Sequence, residues 1–310
     1  MQAKTVTVIL TILSHDMKRI VLSTSTSCLD YMDIRHSVRS IHQHLLINNV
    51  DFLDGHNIDI KRLQNIITAS PNTTMSTAPA SEDEIRQLFA QLAKENYDEV
   101  IIITHSQHLS KSFHIISQVR DDMAVIHPAM TVHVLDCQQI NFTQALMTLD
   151  AQRLFIQNES VNTIIDHLNA LNQSHRCFFV VEDLTYLTRS GRLKTTASFF
   201  ANLLDIKPML EIQQDGKIEA IKKVRKIEKA IDMMIDYLGK EIKNKHAYPY
   251  LLDAGNHELV AYTAQRVKDK LGLNEVIVQP VTPVSVATHG PNTVGLGAFI
   301  HNIPMSIDLF

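Results

Sequence analysis

Residues Glu99–Thr104 read Glu-Val-Ile-Ile-Ile-Thr, an apolar run without the alternation of a half-exposed strand. Such a strand is buried on both faces, as in a parallel sheet covered by helices on either side. The neighbouring segments follow the same plan. Ser81-Glu82-Asp83-Glu84 forms a capping box, and Ile85, Leu88, Phe89 and Leu92 follow at helical spacing to about Asn96. Arg19–Leu22 and Thr131–Asp136 give further strands, the second after a helical stretch. This strand–loop–helix alternation predicts an α/β domain.

The second half has a different rhythm. A helix near Val161–Asn172 precedes a strand at Cys177–Asp183, and Ile206–Ile212 and Ile218–Ile221 are joined through Asp215-Gly216 as in a hairpin. Two amphipathic helices follow, about Ile227–Lys243 and Glu258–Leu271, the second stopping at Gly272, and then a strand at Glu275–Val281. The predicted organisation is an extension over residues 1–16, an α/β domain with a parallel sheet over 17–160, and an α/β domain with antiparallel sheet over 161–310. The two domains share a cleft. The extension carries one short apolar run, Val6–Leu13, without a small-residue cleavage site, and a second start, Met17-Lys18-Arg19, follows it.

Composition narrows the function. With 29 basic and 33 acidic residues the net charge is −4, which argues against general nucleic-acid binding; the absence of Trp argues against stacking on bases. Cys28, Cys137 and Cys177 are odd in number and lack CxxC spacing, so they read as reduced thiols of a cytoplasmic protein. No apolar run approaches the roughly 18 residues of a membrane span. The GxxxxGK[ST], GxGxxG and HExxH signatures are absent. His42-x-His44 and His105-x-x-His108 have no Cys or carboxylate at ligand spacing, so neither metal nor cofactor is expected.

Four segments remain as candidates. Val284–Phe299 begins as an apolar, strand-like run and stops at His289. It turns through Gly290-Pro291-Asn292 and leaves through Gly295-Leu296-Gly297, taking 3 of the 9 glycines of the chain. A histidine there can offer a hydrogen bond or a positive charge to a buried group, or be an incidental turn residue. A hydrolase or phosphotransferase using His289 or His105 stays open, although no GxSxG elbow is present. Ser23–Ser27, a run of small hydroxyls past the first strand, suits either ligand contact at a sheet edge or capping. Residues 68–80 read as a Ser/Thr/Pro-rich loop. The basic turn Arg189–Lys194, with Lys222–Lys226 downstream, reads as a docking face for an acidic partner or as solvated charge.

Taken in order, these segments resemble the DegV family, the fatty-acid-binding proteins that serve as FakB subunits of bacterial fatty-acid kinase. Met17–Ser27 is similar to the family's opening strand and TDSTS loop, Ser76-Thr77-Ala78-Pro79 to its TSxP loop, and Ser106–Ser110 to its SSGLS segment. Phe179–Leu193 matches its most specific block, and Ile206–Leu210, Asp215–Lys217, Lys223–Arg225 and Thr288–Pro291 follow colinearly. The resemblance implies a non-catalytic carrier. It would hold a long-chain fatty acid in an interdomain tunnel and present the carboxyl to a kinase subunit, with transient contact at a membrane surface. It implies ligand contacts at Thr24, Ser25, Ser76, Thr77, Ser106, Gln107 and His289, and a kinase-facing role for Arg189 and Arg192. Thr24 stands where the family has Asp, Gln107-His108 where it has Ser-Gly, and Asn292-Thr293 where glycines are usual. These departures bear on head-group geometry. Another apolar acid is the remaining ligand class.

Overall fold

The computed structural model describes residues 17–70, 73–193 and 206–310. The expected extension over 1–16, Pro71-Asn72 of the Ser/Thr/Pro-rich segment and Lys194 of the basic turn lie outside these residues. The first sheet is parallel, in the order β2 (Arg39–Ile41), β1 (Arg19–Thr24), β6 (Glu99–Thr104), β7 (Thr131–Asp136). On its outer face lie α2 (Glu82–Lys94) and α3 (Ser112–Ile126), which cover Ile20, Leu22, Val100 and Ile102. The capping box forms as expected, with Ser81 N donating to Glu84 Oε2 at 2.8 Å and Glu84 N to Ser81 Oγ at 3.3 Å.

The second sheet has six strands in the order β10 (Ile218–Val224), β9 (Lys207–Ile212), β8 (His175–Val181), β13 (Thr293–Ile300), β11 (Ala247–Asp253), β12 (Ile277–Pro280). All its pairs are antiparallel except β11 with β12. Its even-numbered side chains on β8, Phe178 and Val180, pack under α7 (Ile227–Ile242) and α8 (His257–Leu271). The odd-numbered ones, Cys177, Phe179 and Val181, face a core shared with Val21, Ile101 and Ile103 of the first sheet. Between the sheets runs α4 (Phe142–Ile156), buried from Phe142 to Ala151, followed by α5 (Val161–Gln173) capped by Ser160. A helix between two apolar sheet faces has no solvent side, which explains its lack of an amphipathic pattern.

Two elements differ from the sequence reading. Residues 68–80 are not wholly loop: Met75–Ala78 is a strand, β5, in a small antiparallel sheet ordered β4 (Val50–Leu53), β3 (His44–Ile47), β5. The β3–β4 turn is Asn48-Asn49, with φ of 49° and 66°, the doubly positive geometry of a tight hairpin that Asn tolerates. The run before His289 is a short helix, α9 (Pro283–His289), rather than a strand. Thr282 caps it, accepting from Ser285 N at 3.2 Å, and Pro283 occupies its first position. Its first five residues are all buried, so the period that would reveal a helix is missing.

The C-terminal glycines serve packing. A Cβ on Gly297 would fall on Tyr250 Oη and Cζ, and one on Gly295 would lie 3.1 Å from Leu252 Cβ. Tyr250 is fully buried, bonded to Thr143 Oγ1 at 2.6 Å and His175 Nε2 at 2.7 Å. Gly297→Ala should displace that ring and lower the free energy of unfolding by about 1–3 kcal/mol in denaturant titration. Asp54, also fully buried, takes hydrogen bonds from Ser25 Oγ (2.8 Å) and Tyr31 Oη (2.9 Å), yet burial pushes its pKa up to about 7. The unfolded chain ionises this group near pH 4 and the folded chain near 7. Stability should therefore fall as pH rises through that window and level off above it. Asp54→Asn should flatten this fall in thermal melts taken between pH 4 and 7.

Candidate functional site

Where the carboxyl edge of the first sheet meets the inner face of the second, the shared core opens into a cavity of about 810 Å³, its open mouth included. Its apolar wall comes from Cys177 and Phe179 on β8, Ile212 on β9, Ile218 on β10 and Leu252 on β11. Strand alternation places them there: these side chains point to the side of the sheet opposite α7 and α8. Val284 of α9 continues the wall.

The polar wall centres on Arg192. Its chain leaves α6 (Thr185–Ser190) through Gly191, whose φ is 69°, and turns back into the cleft. Arg192 Nε donates to Leu109 O at 2.7 Å and Nη2 to Thr77 Oγ1 at 2.8 Å. Both acceptors are neutral, and no carboxylate among the described residues pairs with this guanidinium. Burial lowers its pKa, the sign of a charge held out of water without compensation. The residue expected to face a partner thus also lines the cavity, as a planar fork flanked by two acceptors of its own chain. Arg189, one helical turn earlier, is exposed.

His105, 4% exposed, lines the cavity beside Arg192 and bonds Thr24 Oγ1 through Nδ1 at 3.1 Å. Burial, and then the Arg192 charge, lowers its pKa to about 3. His289 lines the cavity from the end of α9. Its Nδ1–H donates to Gly290 O at 2.9 Å, and burial takes its pKa down to about 4. The ring is therefore neutral at pH 7, with Nε2 as a lone-pair acceptor. Of the sequence alternatives for this ring, the structure offers a hydrogen-bonding imidazole rather than a positive charge.

The structure brings Thr77, Arg192 and His289 together on the cavity wall and places the other expected residues elsewhere. Thr24 Oγ1 is held by Thr26 Oγ1 (2.9 Å) and Gln144 Nε2 (2.8 Å), and Ser25 Oγ by Asp54, so neither faces the cavity; Thr26 does. Ser106 Oγ donates to Gly216 O at 2.9 Å, beneath the β9–β10 turn. Gln107 donates its backbone N–H to Asp136 Oδ1 at 3.3 Å. Ser76 alternates with Thr77 on β5 and is exposed. It belongs to a neighbouring vestibule with Tyr186, Arg189 and Ser190, which shares Thr77, Arg192 and Thr288 with the cavity. Gln43, His105 and Asn141 also line the cavity and were outside the expected ligand set. Among the described residues, no group of three or more His, Cys, Asp or Glu is placed to hold a metal, and no helix is long and apolar enough to cross a membrane.

Comparison with known proteins now bears on this geometry. Residues 19–301 match the family described as "Uncharacterised protein, DegV family". The chain belongs to the DegV family. A DegV domain-containing protein of Clostridium acetobutylicum is 21% identical over 286 residues, which is 91% of this chain and 99% of that one. Among solved structures, DegV, a fatty acid binding protein from Bacillus subtilis, matches with a TM-score of 0.79 at 23% identity, covering 92% of this chain and 99% of its own. A stearic-acid-binding protein from Eubacterium ventriosum matches with a TM-score of 0.76 at 21% identity, covering 91% and 98%. At such identities the likeness establishes a common DegV fold, with its parallel N-terminal and largely antiparallel C-terminal sheet.

An anion next to His289 Nε2 needs a proton on that nitrogen to bond it. In NMR titrations His289 should stay neutral down to about pH 5 without ligand, and its pKa should rise once an anionic ligand saturates the cavity. An unchanged titration would exclude the contact.

Proposed function

We propose that this protein binds a long-chain fatty acid, its chain in the apolar cavity and its carboxylate at Arg192, and presents that carboxyl to a partner fatty-acid kinase for phosphorylation. The observation that carries the reading is a half-buried guanidinium, without a carboxylate partner among the described residues, at the polar end of a largely apolar cavity. A buried cation without a counter-charge is costly, and an anionic head group removes that cost. Each buried methylene contributes roughly 0.8 kcal/mol, so an acyl chain with about 14 of them supplies on the order of 11 kcal/mol before association costs. The solved DegV relatives described as fatty-acid-binding and stearic-acid-binding support the ligand class.

Presentation to a kinase is supported by the vestibule. Arg189 and the hydroxyls of Ser76, Ser190 and Tyr186 gather outside the Arg192 end of the cavity, and cations with hydroxyl donors suit a transferring phosphoryl group. In this reading the protein shields the chain from water and the kinase supplies the chemistry. His105 and His289 bond a threonine hydroxyl and a backbone carbonyl, so neither ring is oriented by a carboxylate as a general base is in a catalytic triad.

Organic extraction of the purified protein followed by mass spectrometry should release a long-chain fatty acid. The reading fails if none co-purifies and none binds on addition, and release of a branched or isoprenoid acid would redirect it to that class. Arg192→Gln should weaken fatty-acid binding at least tenfold, the loss of one charge-assisted hydrogen bond. Arg189→Ala should keep affinity within about twofold while slowing acyl-phosphate formation by the kinase; unchanged phosphorylation would remove Arg189 from this role.

A further inference from the structure

Gln43 precedes β3 and continues its alternation, so that Gln43, Leu45 and Ile47 share one buried face. A polar amide at 2% exposure on an apolar face requires partners. Most of its groups have them. The backbone N–H donates to Ser25 Oγ at 3.1 Å, the carbonyl accepts from Asp54 N at 2.9 Å, and Oε1 accepts from Ser112 Oγ at 2.9 Å. Ser112 Oγ in turn lies 3.0 Å from Ser110 Oγ. The side-chain Nε2 has no partner, and Gln43 lines the cavity. A buried donor left unpaired is costly, and native structures rarely keep one without a ligand or water to accept from it.

The same part of the wall holds the guanidinium. Leu45 pairs with Thr77 across the β3–β5 ladder, which sets Gln43 opposite Pro79, two residues from Thr77 on the same face. Thr77 accepts from Arg192 Nη2, and Leu109, next to Ser110, accepts from Arg192 Nε. The amide and the guanidinium are thus fixed by the same two elements, the β3–β5 pair and the 109–112 segment.

We infer that Gln43 is a specificity-determining residue of the cavity: its Nε2 donates to one oxygen of the ligand's carboxylate while Arg192 binds the other. The assignment rests on the fatty-acid reading and adds a second, uncharged donor to it. A carboxylate offers enough lone pairs for both, whereas a primary alcohol or a methyl ester carries less charge for them to meet. The polar half of the site thereby selects acids over neutral lipids of equal chain length.

The test measures dissociation constants of a saturated long-chain fatty acid and of the primary alcohol of the same length, against the wild-type chain, Gln43→Met and Gln43→Glu. Wild type should prefer the acid. Gln43→Met, nearly the same size and without donors, should lose about tenfold for the acid and stay within about twofold for the alcohol. Gln43→Glu, isosteric and anionic, should lose more for the acid than Gln43→Met does, and it carries the test if the Met variant fails to fold. Equal losses for acid and alcohol, or no loss in either variant, overturn the inference and leave the fatty-acid reading standing. If wild type binds neither lipid, the fatty-acid reading falls and this assignment with it.

Discussion

The fold depends on one shared apolar layer. The first sheet turns Val21, Ile101 and Ile103 inward, the second turns Cys177, Phe179 and Val181 inward, and α4 fills much of the space between. Each sheet covers its other face with two helices. Neither inner face could be solvated without exposing a large apolar patch, so the two halves hold each other in place. The cavity is the part of this layer that the chain's own side chains leave open, which explains why so much of its wall is apolar.

Its polar end follows from the same packing. The loops at the carboxyl edge of the parallel sheet, 24–28, 105–110 and 137–141, arrive at the inner face of the other sheet. Their backbone and hydroxyl groups must be bonded there away from water. Most bond one another: Gln144 bridges Ser23 and Thr24, Ser25 meets Asp54, and Ser106 holds the β9–β10 turn. Among those that do not are Gln43 Nε2, Ser27 Oγ and Gln139 Oε1, which have no partner, and the charge of Arg192, which meets no carboxylate among the described residues. Of these, Gln43 and Arg192 are the ones that line the cavity.

The sequence revealed the two sheet types through strong local signals. The unbroken Val100–Ile103 run marked a strand covered on both sides, and Asp215-Gly216 marked the hairpin. Less was legible where burial or composition erased the local pattern. In α9, β-branched residues buried all round imitate a strand; Thr282-Pro283, a cap followed by proline at the first helical position, was the signal that identifies it. Strand β5 is short and built of small hydroxyl residues, so it reads as loop until β3 pairs with it. Of the residues expected from the motifs, Thr77 and His289 lie on the cavity itself. Ser106 and Gln107 do not, because the hydroxyl of one and the backbone amide of the other bond neighbours instead. Arg192 was visible as a cation, but its direction depends on the left-handed turn at Gly191. Gln43 could have been noticed as a polar residue in phase with Leu45 and Ile47.

The pairing of β11 with β13 sets two large side chains, Tyr250 and Leu252, against two glycines, Gly297 and Gly295, with Phe299 next in phase opposite Tyr248. Hydrogen bonds alone do not distinguish one register of a ladder from another two residues away, because the same faces stay in place. Bulk does distinguish them here. Sliding β13 by two residues one way brings Phe299 onto Tyr250, and the other way brings Thr293 onto Leu252. The two glycines therefore act as a notch that admits a single alignment, and with it they fix the height at which His289, four residues before β13, meets the cavity.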